Sequence, residues 1–507
     1  MMPEFGVRTV TVVFGLVLLA CAPGRVQRSV VPPSQAATLD RQSPYLKAHL
    51  RTGYVYLLNT WQVDSAGTLV SGRGSLLTPD RELESEGEFR LPVDSVALFE
   101  TNLLQRGGAL NALAVMTGIT ALVTVACISD PKACFGSCPT FYVADSGGPF
   151  LQAEGFSASI APALEATDVD ALYRARPTGR EFRLHLRNEA LETHTIRHAD
   201  LLALPRPPGG RVFVTTEGEF RTAAGTQRPA RCVAAGDDCS GAVAAFDGRE
   251  RTSLADSFDL AARETIELEF EGGPPGDVGL VISSRQSLMT TYLLYQWLSY
   301  LGRDAARWLG MLTTEVPELG GLLGRIEVLA PDSAGGWTPV GRAGETGPLA
   351  PETKVVPLPS SDGRPIRVRL QLTRGLWRID YLALVRLGGP VLPVRIPPYG
   401  VERYGRKDPV AWRALVDTTR SLVTLPGDAY DLVYRLPPDP ERYELFLESR
   451  GYYLEWMRQE WLGEENPMLA AQMVFDPAGA MRSLAPGFKR KEPELEGLFW
   501  KSRYVRR

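Results

Sequence analysis

Apolar and polar residues alternate along much of this chain, as they do in strands that bury one face. The alternation is regular over residues 88–91, 182–187 and 266–271, where every second residue is charged or is histidine. A period of two in short segments bounded by turn residues predicts half-buried β-strands. The pattern therefore predicts a mainly β protein built from β-sandwich or jelly-roll-like modules.

Three other segments have apolar residues at the spacing of a helix. We predict helices over residues 284–312, 411–422 and 440–462, with a strand over 428–436 between the last two. Prolines interrupt residues 393–404, which are predicted to be a connector. The predicted fold class is mainly β with accessory helices, in several domains, with a helical C-terminal extension.

One long apolar run, residues 109–128, contains no charged residue. Its length permits a membrane span. Small and polar residues make up as much of it as Leu and Val, however, so its insertion into a bilayer is energetically marginal. Two interpretations stay open. The run is a buried or membrane-dipping helix, or it is a true span that leaves the C-terminal part of the chain in the cytoplasm.

Changes in pattern and composition divide the chain into six predicted parts. They are a signal peptide (1–20), a flexible tether (21–52), a β-rich domain with the apolar helix 109–128 (53–155), a second β-rich domain (156–275), a helix plus a β-sandwich-like domain (276–392) and an α/β C-terminal extension (393–507).

The N-terminal segment follows the order of a bacterial export signal. Arg8 precedes the apolar run 10–19, and Leu18-Leu19-Ala20-Cys21 closes the segment. This tetrapeptide resembles the lipobox of bacterial lipoproteins, which implies cleavage before Cys21 and diacylation of its sulfur. An uncleaved anchor is disfavoured because the run is about half as long as a membrane span. By the same resemblance, Ala22 implies that the protein is not retained in the inner membrane.

Charge and composition narrow the range of partners. The 507 residues include 55 Lys and Arg against 59 Asp and Glu, a formal net charge of −4. No stretch clusters basic residues as nucleic-acid binding requires, so nucleic acid is not an expected partner. The expected partners are a membrane, reached through the N-terminal lipid, and an envelope protein or glycan.

The cysteines other than Cys21 suggest disulfides, because an exported chain passes through an oxidising compartment. Cys232 and Cys239 flank a turn-rich stretch and are predicted to staple the end of a hairpin. For the other three, the simplest pairing joins Cys134 to Cys138 and leaves Cys127 reduced, although other pairings stay open. The spacing of Cys134 and Cys138 does not match paired zinc knuckles.

One segment, 145–149, has the sequence Asp-Ser-Gly-Gly-Pro and resembles the nucleophile segment of trypsin-like proteases. Such an enzyme needs a histidine and an aspartate earlier in the chain, so that the serine loses its proton to an oriented base. His49 is the one histidine before Ser146, and it lies in the predicted tether. We therefore interpret the segment as a glycine turn.

Two groups of residues suggest metal binding. His194, His198 and Asp200 have a spacing that would place both histidines on one side of a strand or of a helix, where they could bind zinc. Glu165 and the pair Asp168 and Asp170 could contribute to a calcium site, although Asp168 fits equally well as a helix cap. Neither set is complete, and no metal or cofactor is predicted.

These observations predict location better than activity. We expect a non-enzymatic, membrane-anchored lipoprotein of the cell envelope, held at the outer membrane, with a binding or structural role. Residues 132–156 resemble uncharacterised envelope lipoproteins of no assigned activity. One alternative is an envelope hydrolase that acts on peptide or glycan. The other is an inner-membrane protein that crosses the bilayer at 109–128.

Overall fold

A computed structural model describes most of the chain. The described residues are 25–31, 33–43, 45–50, 54–77, 83–105, 138–145, 148–160, 162–301, 323–344, 347–455 and 464–503. The chain divides into two compact units. The first comprises residues 1–134, 297–308 and 456–467, and the second comprises 135–296, 309–455 and 468–507.

The structure is mainly β, as predicted, with a few helices, most of them near the C-terminus. The strands are β1 (Arg25–Val31), β2 (Leu46–Leu50), β3 (Val55–Val63), β4 (Leu69–Leu77), β5 (Leu83–Pro92), β6 (Val96–Gln105), β7 (Thr140–Asp145), β8 (Gly148–Glu154), β9 (Ala166–Ala171), β10 (Glu181–Arg187), β11 (Glu192–Pro205), β12 (Arg211–Thr215), β13 (Phe220–Gln227), β14 (Arg231–Ala234), β15 (Asp237–Asp238), β16 (Arg263–Phe270), β17 (Gly276–Gln286), β18 (Ile326–Pro331), β19 (Trp337–Ala343), β20 (Glu352–Ser361), β21 (Ile366–Thr373), β22 (Trp377–Pro390), β23 (Val394–Ile396), β24 (Gly400–Arg403), β25 (Arg406–Lys407), β26 (Leu422–Thr424), β27 (Ala429–Arg435) and β28 (Tyr443–Glu455). The α-helices are α1 (Met289–Leu301), α2 (Pro409–Val416), α3 (Pro467–Phe475) and α4 (Pro477–Ser502), and short 3-10 helices lie at Pro33–Thr38, Val93–Ser95, Pro162–Leu164 and Pro440–Arg442.

The first unit contains a six-stranded antiparallel sheet, the N-terminal sheet, with the order β1-β6-β2-β3-β4-β5. Leu46, Ala48 and Phe99 are fully buried in its apolar cluster. Both β1 and β2 fall within residues 21–52, which were predicted to be a flexible tether. This prediction is corrected, because both strands pair with β6 and their backbone groups are used in the sheet.

Two sheets of the second unit form a sandwich. The outer sheet has the order β25-β24-β27-β10-β7-β8, and the central sheet has the order β23-β11-β28-β9, with β26 also paired to β11. Leu184 and Leu186 of β10 pack in one cluster with Leu201 of β11 and Leu447 of β28. The opposite face of β10 carries Arg and His, so its alternating sequence reflects one buried face and one wet face.

The central sheet is covered on its second face by a closed barrel, β12-β13-β22-β17-β20. Leu202 of β11 and Phe446 of β28 pack there with Val281 and Ala383 of the barrel. β28 is thus buried on both sides. Apolar residues at helical spacing produced the predicted helix over 440–462. That prediction is wrong for residues 443–455, because Phe446 and Leu447 pack into opposite layers and a strand covered on both faces loses its polar alternation.

A further six-stranded sheet, the hairpin sheet, has the order β15-β14-β16-β21-β18-β19. Both this sheet and the barrel combine strands from before and after the predicted boundary at 275/276. In the barrel β13 pairs with β22, and in the hairpin sheet β16 pairs with β21 over eight residue pairs. The predicted domains 156–275 and 276–392 are therefore interleaved in the sheets.

The helices also differ from the predicted ones. The helix predicted from residue 284 begins at Met289, because residues up to Gln286 extend β17. α2 covers Pro409–Val416 within and just before the predicted 411–422, and its N-terminus is capped by the Asp408 carboxylate, which accepts from two backbone amides. α4 contains both Pro486 and Pro493.

Several predicted features lie outside the described residues. They are the signal peptide with Cys21, the apolar run 109–128, and the cysteines Cys127 and Cys134. Among the residues that the structure does describe, no helix is both long and apolar enough to cross a membrane.

Candidate functional site

Each of the four histidines contacts a carboxylate. The pairs are His49 Nε2 with Glu100 (3.4 Å), His185 Nδ1 with Asp431 (2.6 Å), His194 Nε2 with Glu192 (3.0 Å) and His198 Nε2 with Glu448 (3.1 Å). His49 and His194 are buried. Three of these contacts join neighbouring strands, and the contact of His194 with Glu192 joins two positions of β11. The histidines therefore bind carboxylates of their own sheets.

The predicted zinc set does not assemble. The pairing of β11 with β28 shifts between Ile196 and His198, which is a β-bulge. An extra residue at a bulge reverses the faces of the residues that follow it. Ile196 and Ala199 accordingly face the same apolar cluster. His194 therefore lies on the face of the central sheet that packs on the outer sheet, and His198 lies on the opposite face.

Asp200 and the predicted calcium residues are engaged by arginine and lysine side chains. Asp200 binds Arg395 at 2.9 Å, and Glu165 binds Arg197 and Arg450 at 2.9 and 2.8 Å. In the part of the chain that the structure describes, no group of three or more His, Cys, Asp or Glu is arranged to hold a metal ion.

Asp168 and Asp170 lie on strand β9, so the alternative interpretation of Asp168 as a helix cap is wrong. Asp170 is buried, and burial together with the nearby Asp168 and Glu352 carboxylates raises its pKa well above the ordinary value. Lys354 forms an ion pair with Glu352 and also lies close to both aspartates. Three carboxylates, of which those of Asp170 and Glu352 are buried, therefore lie around one lysine.

The protease-like segment is partly described. His49 is in the first unit, and Asp145 ends β7 in the second unit. Ser146 lies outside the described residues. Asp64, an aspartate that precedes Ser146 in the chain, accepts from the amides of Thr68 and Leu69 and so closes the β3–β4 turn.

The structure contains the predicted disulfide between Cys232 and Cys239. It closes the β14–β15 hairpin, where the Cys239 amide also donates to the Cys232 carbonyl at 2.8 Å. The predicted bond between Cys134 and Cys138 is not formed, because Cys138 carries a free, buried thiol. This thiol donates to the Ser157 carbonyl at 3.7 Å.

The Cys138 thiol lies beside a buried carboxylate that the sequence did not reveal, Glu154 of β8. Its Oε2 accepts from the amides of Leu349 (2.7 Å) and Ala350 (3.3 Å). Burial raises the pKa of Glu154 to about 7, against the lowering effect of these amides. Burial, and then the Glu154 charge, raise the pKa of Cys138 well above its ordinary value. Cys138 therefore carries a protonated thiol rather than a reactive thiolate at neutral pH.

A second charged group lies next to the loop that binds Glu154. Arg285 at the end of β17 donates to the Pro348 carbonyl (2.7 Å) and contacts Glu250 and Glu496 at 2.5 Å each. Arg378 of β22 contacts the same two carboxylates. We call these four charged residues the arginine network. It ties α4, which carries Glu496, to two strands of the barrel.

Sequence reasoning missed both the Glu154 centre and the arginine network. Their members come from positions that are far apart in the chain and form no local motif. The signal that was present is an arginine that follows closely on the apolar stretch 278–282, as at Arg285. Such a residue is almost never buried without a partner.

Comparisons with known proteins add little. No family model matches the chain, and no curated protein matches it. Among solved structures, it is similar to BuGH86wt in complex with neoagarooctaose, with 8% identity over 45% of this chain and 35% of that one, at a TM-score of 0.16. The chain thus spans about a third of that protein. It is also similar to the secreted serine protease VesC from Vibrio cholerae, with 7% identity over 72% of this chain and 99% of that one, at a TM-score of 0.14. Likenesses this low carry no argument about function.

Proposed function

We propose that this protein is a lipid-anchored protein of a bacterial cell envelope, held at the outer membrane, with a binding or structural role and no catalytic one. The observation that carries the proposal is the sequence Leu18-Leu19-Ala20-Cys21 after an apolar run of export-signal length. Cleavage before Cys21 and acylation of its sulfur would make the mature chain begin at the membrane surface.

The disulfide between Cys232 and Cys239 supports export. Such bonds persist in oxidising compartments, including the bacterial periplasm, and are rare in the cytosol. It closes a short loop in the hairpin sheet and so stabilises an irregular edge of the body.

The contacts of the ionisable residues support a scaffold role. The histidines contact carboxylates of their own sheets, and the arginine network joins α4 to the barrel. These groups link layers of the fold. We propose that the layers present a surface to an envelope protein or a glycan.

The anchor is tested by expressing the full chain in a bacterial host grown with an alkyne analogue of palmitate. We expect the mature N-terminal peptide to begin at Cys21 and to carry acyl mass, and we expect Cys21→Ser to lose both label and cleavage. Cys138→Ala is the matched control and should be labelled like the parent. A mature chain that retains its first twenty residues, with no acyl mass on Cys21, would contradict the proposal.

The absence of catalysis is tested separately on purified protein with peptide and glycan substrates. Hydrolysis that is lost in His194→Gln or His198→Gln, with the fold intact by circular dichroism, would show that the body is an enzyme. That result would contradict the scaffold role and would leave the proposed lipid anchor unaffected.

A further inference from the structure

The strand β9 lies where the two sandwich sheets and the barrel come together. It is the last strand of the central sheet and pairs there with β28 over six residue pairs. It also contacts β8, the last strand of the outer sheet, and β20 of the barrel. An edge strand has ladder hydrogen bonds along one side, so its attachment to β8 and β20 depends on side chains.

The most buried of these side chains is an acid. Asp168 and Asp170 are two residues apart in β9, so both project from the same face of the strand. Asp170 is 6% exposed, and within the described residues its Oδ2 has no hydrogen-bond partner. A buried carboxylate oxygen without a donor is costly, because it loses its hydration and gains no hydrogen bond in exchange.

The charged groups that face Asp170 are mostly acidic. Asp168 on its own strand, Glu352 on β20 and Glu154 on β8 all act on it electrostatically, and Lys354 of β20 opposes them. Lys354 also forms an ion pair with Glu352. One lysine cannot offset four carboxylates. Burial, and then these like charges, raise the pKa of Asp170 well above its ordinary value.

Glu154 is the second buried acid of this group, at 3% exposure. The nearest cation that acts on it, Arg285, donates to the Pro348 carbonyl instead, and the neighbouring Cys138 thiol is neutral. From β28, the residues opposite Asp170 and Asp168 are Leu447 and Ser449, which carry no charge. At low pH both buried acids are neutral, and as the pH rises two negative charges appear in the same buried region.

We infer that Glu154 and Asp170 form a proton joint, which holds β9 against β8 and β20 while both acids are protonated and releases β9 when their protons pass to solvent. Two like charges in a buried region repel each other, and each can be hydrated only if the strand moves outward. Release of β9 uncovers the edge of β28, and an uncovered edge can accept another strand. All residues of the proton joint belong to the second unit, so the inference does not depend on acylation of Cys21.

The proton joint is tested by amide hydrogen exchange of the purified full-length protein between pH 5 and pH 8, followed by mass spectrometry. Each rate is compared with that of an unstructured peptide at the same pH, which gives a protection factor. The closed joint binds protons more tightly than the open one, so opening is favoured as pH rises. We expect the protection factor over Ala166–Ala171 to fall about tenfold or more, since each pKa unit between the two states changes the opening equilibrium tenfold.

A second series, at pH 8 in low concentrations of urea, separates local release from global unfolding. Local opening exposes little surface, so urea should leave the exchange of β9 unchanged. The reference is β16, which pairs with β14 on one side and β21 on the other, and its exchange should become faster with urea. A protection factor of β9 that stays constant with pH, or a response of β9 to urea equal to that of β16, would overturn the inference.

A matched pair of variants tests the titrating group. Asp170→Asn keeps the size of the side chain but cannot ionise, so it should remove most of the fall in the protection of β9. Asp237→Asn, at the exposed end of the β14–β15 hairpin, should leave that fall unchanged. A fall in Asp170→Asn as large as in the parent would also refute the proton joint. The pH and urea series on the parent protein decide the inference even if this variant does not fold.

Discussion

Two neighbouring regions of the second unit hold carboxylates in different ways. In the arginine network, Glu250 and Glu496 each contact the guanidinium groups of Arg285 and Arg378. In the Glu154 centre, the carboxylate accepts from two backbone amides and lies beside a thiol. The loop around Pro348 touches both, because its carbonyl binds Arg285 and the next amide binds Glu154.

The difference shows two ways to offset the cost of removing an acid from water. Glu250 and Glu496 are paired with the fixed guanidinium groups of Arg285 and Arg378. Burial without a cation in hydrogen-bond contact favours the protonated form instead, which is why the pKa of Glu154 rises to about 7. The first region should therefore be sensitive to loss of an arginine, and the second to pH.

The largest effect is expected from Arg285→Met. The Arg285 side chain is 9% exposed, and its removal leaves Glu250 buried with a weakened set of cations. Breaking one side of a buried ion pair costs about 3–5 kcal/mol. Urea unfolding of the parent and the variant at neutral pH measures the loss. Arg249→Met removes an arginine that is 79% exposed and should leave the midpoint unchanged. Equal midpoints for Arg285→Met and the parent would show that the network does not stabilise the fold.

For Glu154→Gln we expect a somewhat smaller effect on the free energy of unfolding, and this effect appears as a change in its pH dependence. The folded protein holds the Glu154 proton up to about pH 7, whereas the unfolded chain releases it near the ordinary value of 4.5. Between these values the folded state binds more protons, so stability falls as pH rises. The fall amounts to about 3 kcal/mol and is complete above pH 7.

Gln cannot ionise, so the variant should lack this fall. The measurement is the free energy of unfolding in urea from pH 4.5 to pH 8 for both proteins. Glu271→Gln, at an exposed position, is the control and should follow the parent. Parallel curves for Glu154→Gln and the parent would mean that Glu154 ionises at the same pH in both states.

The smallest effect is expected from Cys138→Ala. Removing a single buried sulfur costs about 1 kcal/mol, near the centre of the range for point mutations. The thiol also lowers the pKa of Glu154, so its loss should move the fall in stability to higher pH. Cys138→Ser keeps a donor and should move it less. A loss of unfolding free energy larger than that of Arg285→Met would contradict the expectation that the arginine network stabilises the fold more than the Glu154 centre does.

The strands that could be predicted from sequence are those with one face toward the core and the other face toward water. β10 alternates because one face meets the core and the other meets water, and its strand was predicted. The Cys232–Cys239 disulfide was also predicted, because both cysteines lie on one short hairpin. In these cases the determining contacts are local or leave a regular pattern.

The other parts depend on contacts that no local pattern records. β28 looked helical because it is covered by both the outer sheet and the barrel. β1 looked like a tether because its partner, β6, lies some seventy residues later in the chain. The bulge at Ile196 separates His194 from His198 and is visible only in the pairing with β28. Glu154 and the arginine network were missed for the same reason.

The central sheet also limits when the chain can fold during its synthesis. His198 of β11 and Glu448 of β28 are 250 positions apart in the chain. A ribosome that adds about 5–20 residues per second needs roughly 12–50 s to produce the second strand after the first. The middle layer therefore cannot close until most of the polypeptide has been synthesised. Until then β11 lacks the strand with which it shares its longest pairing.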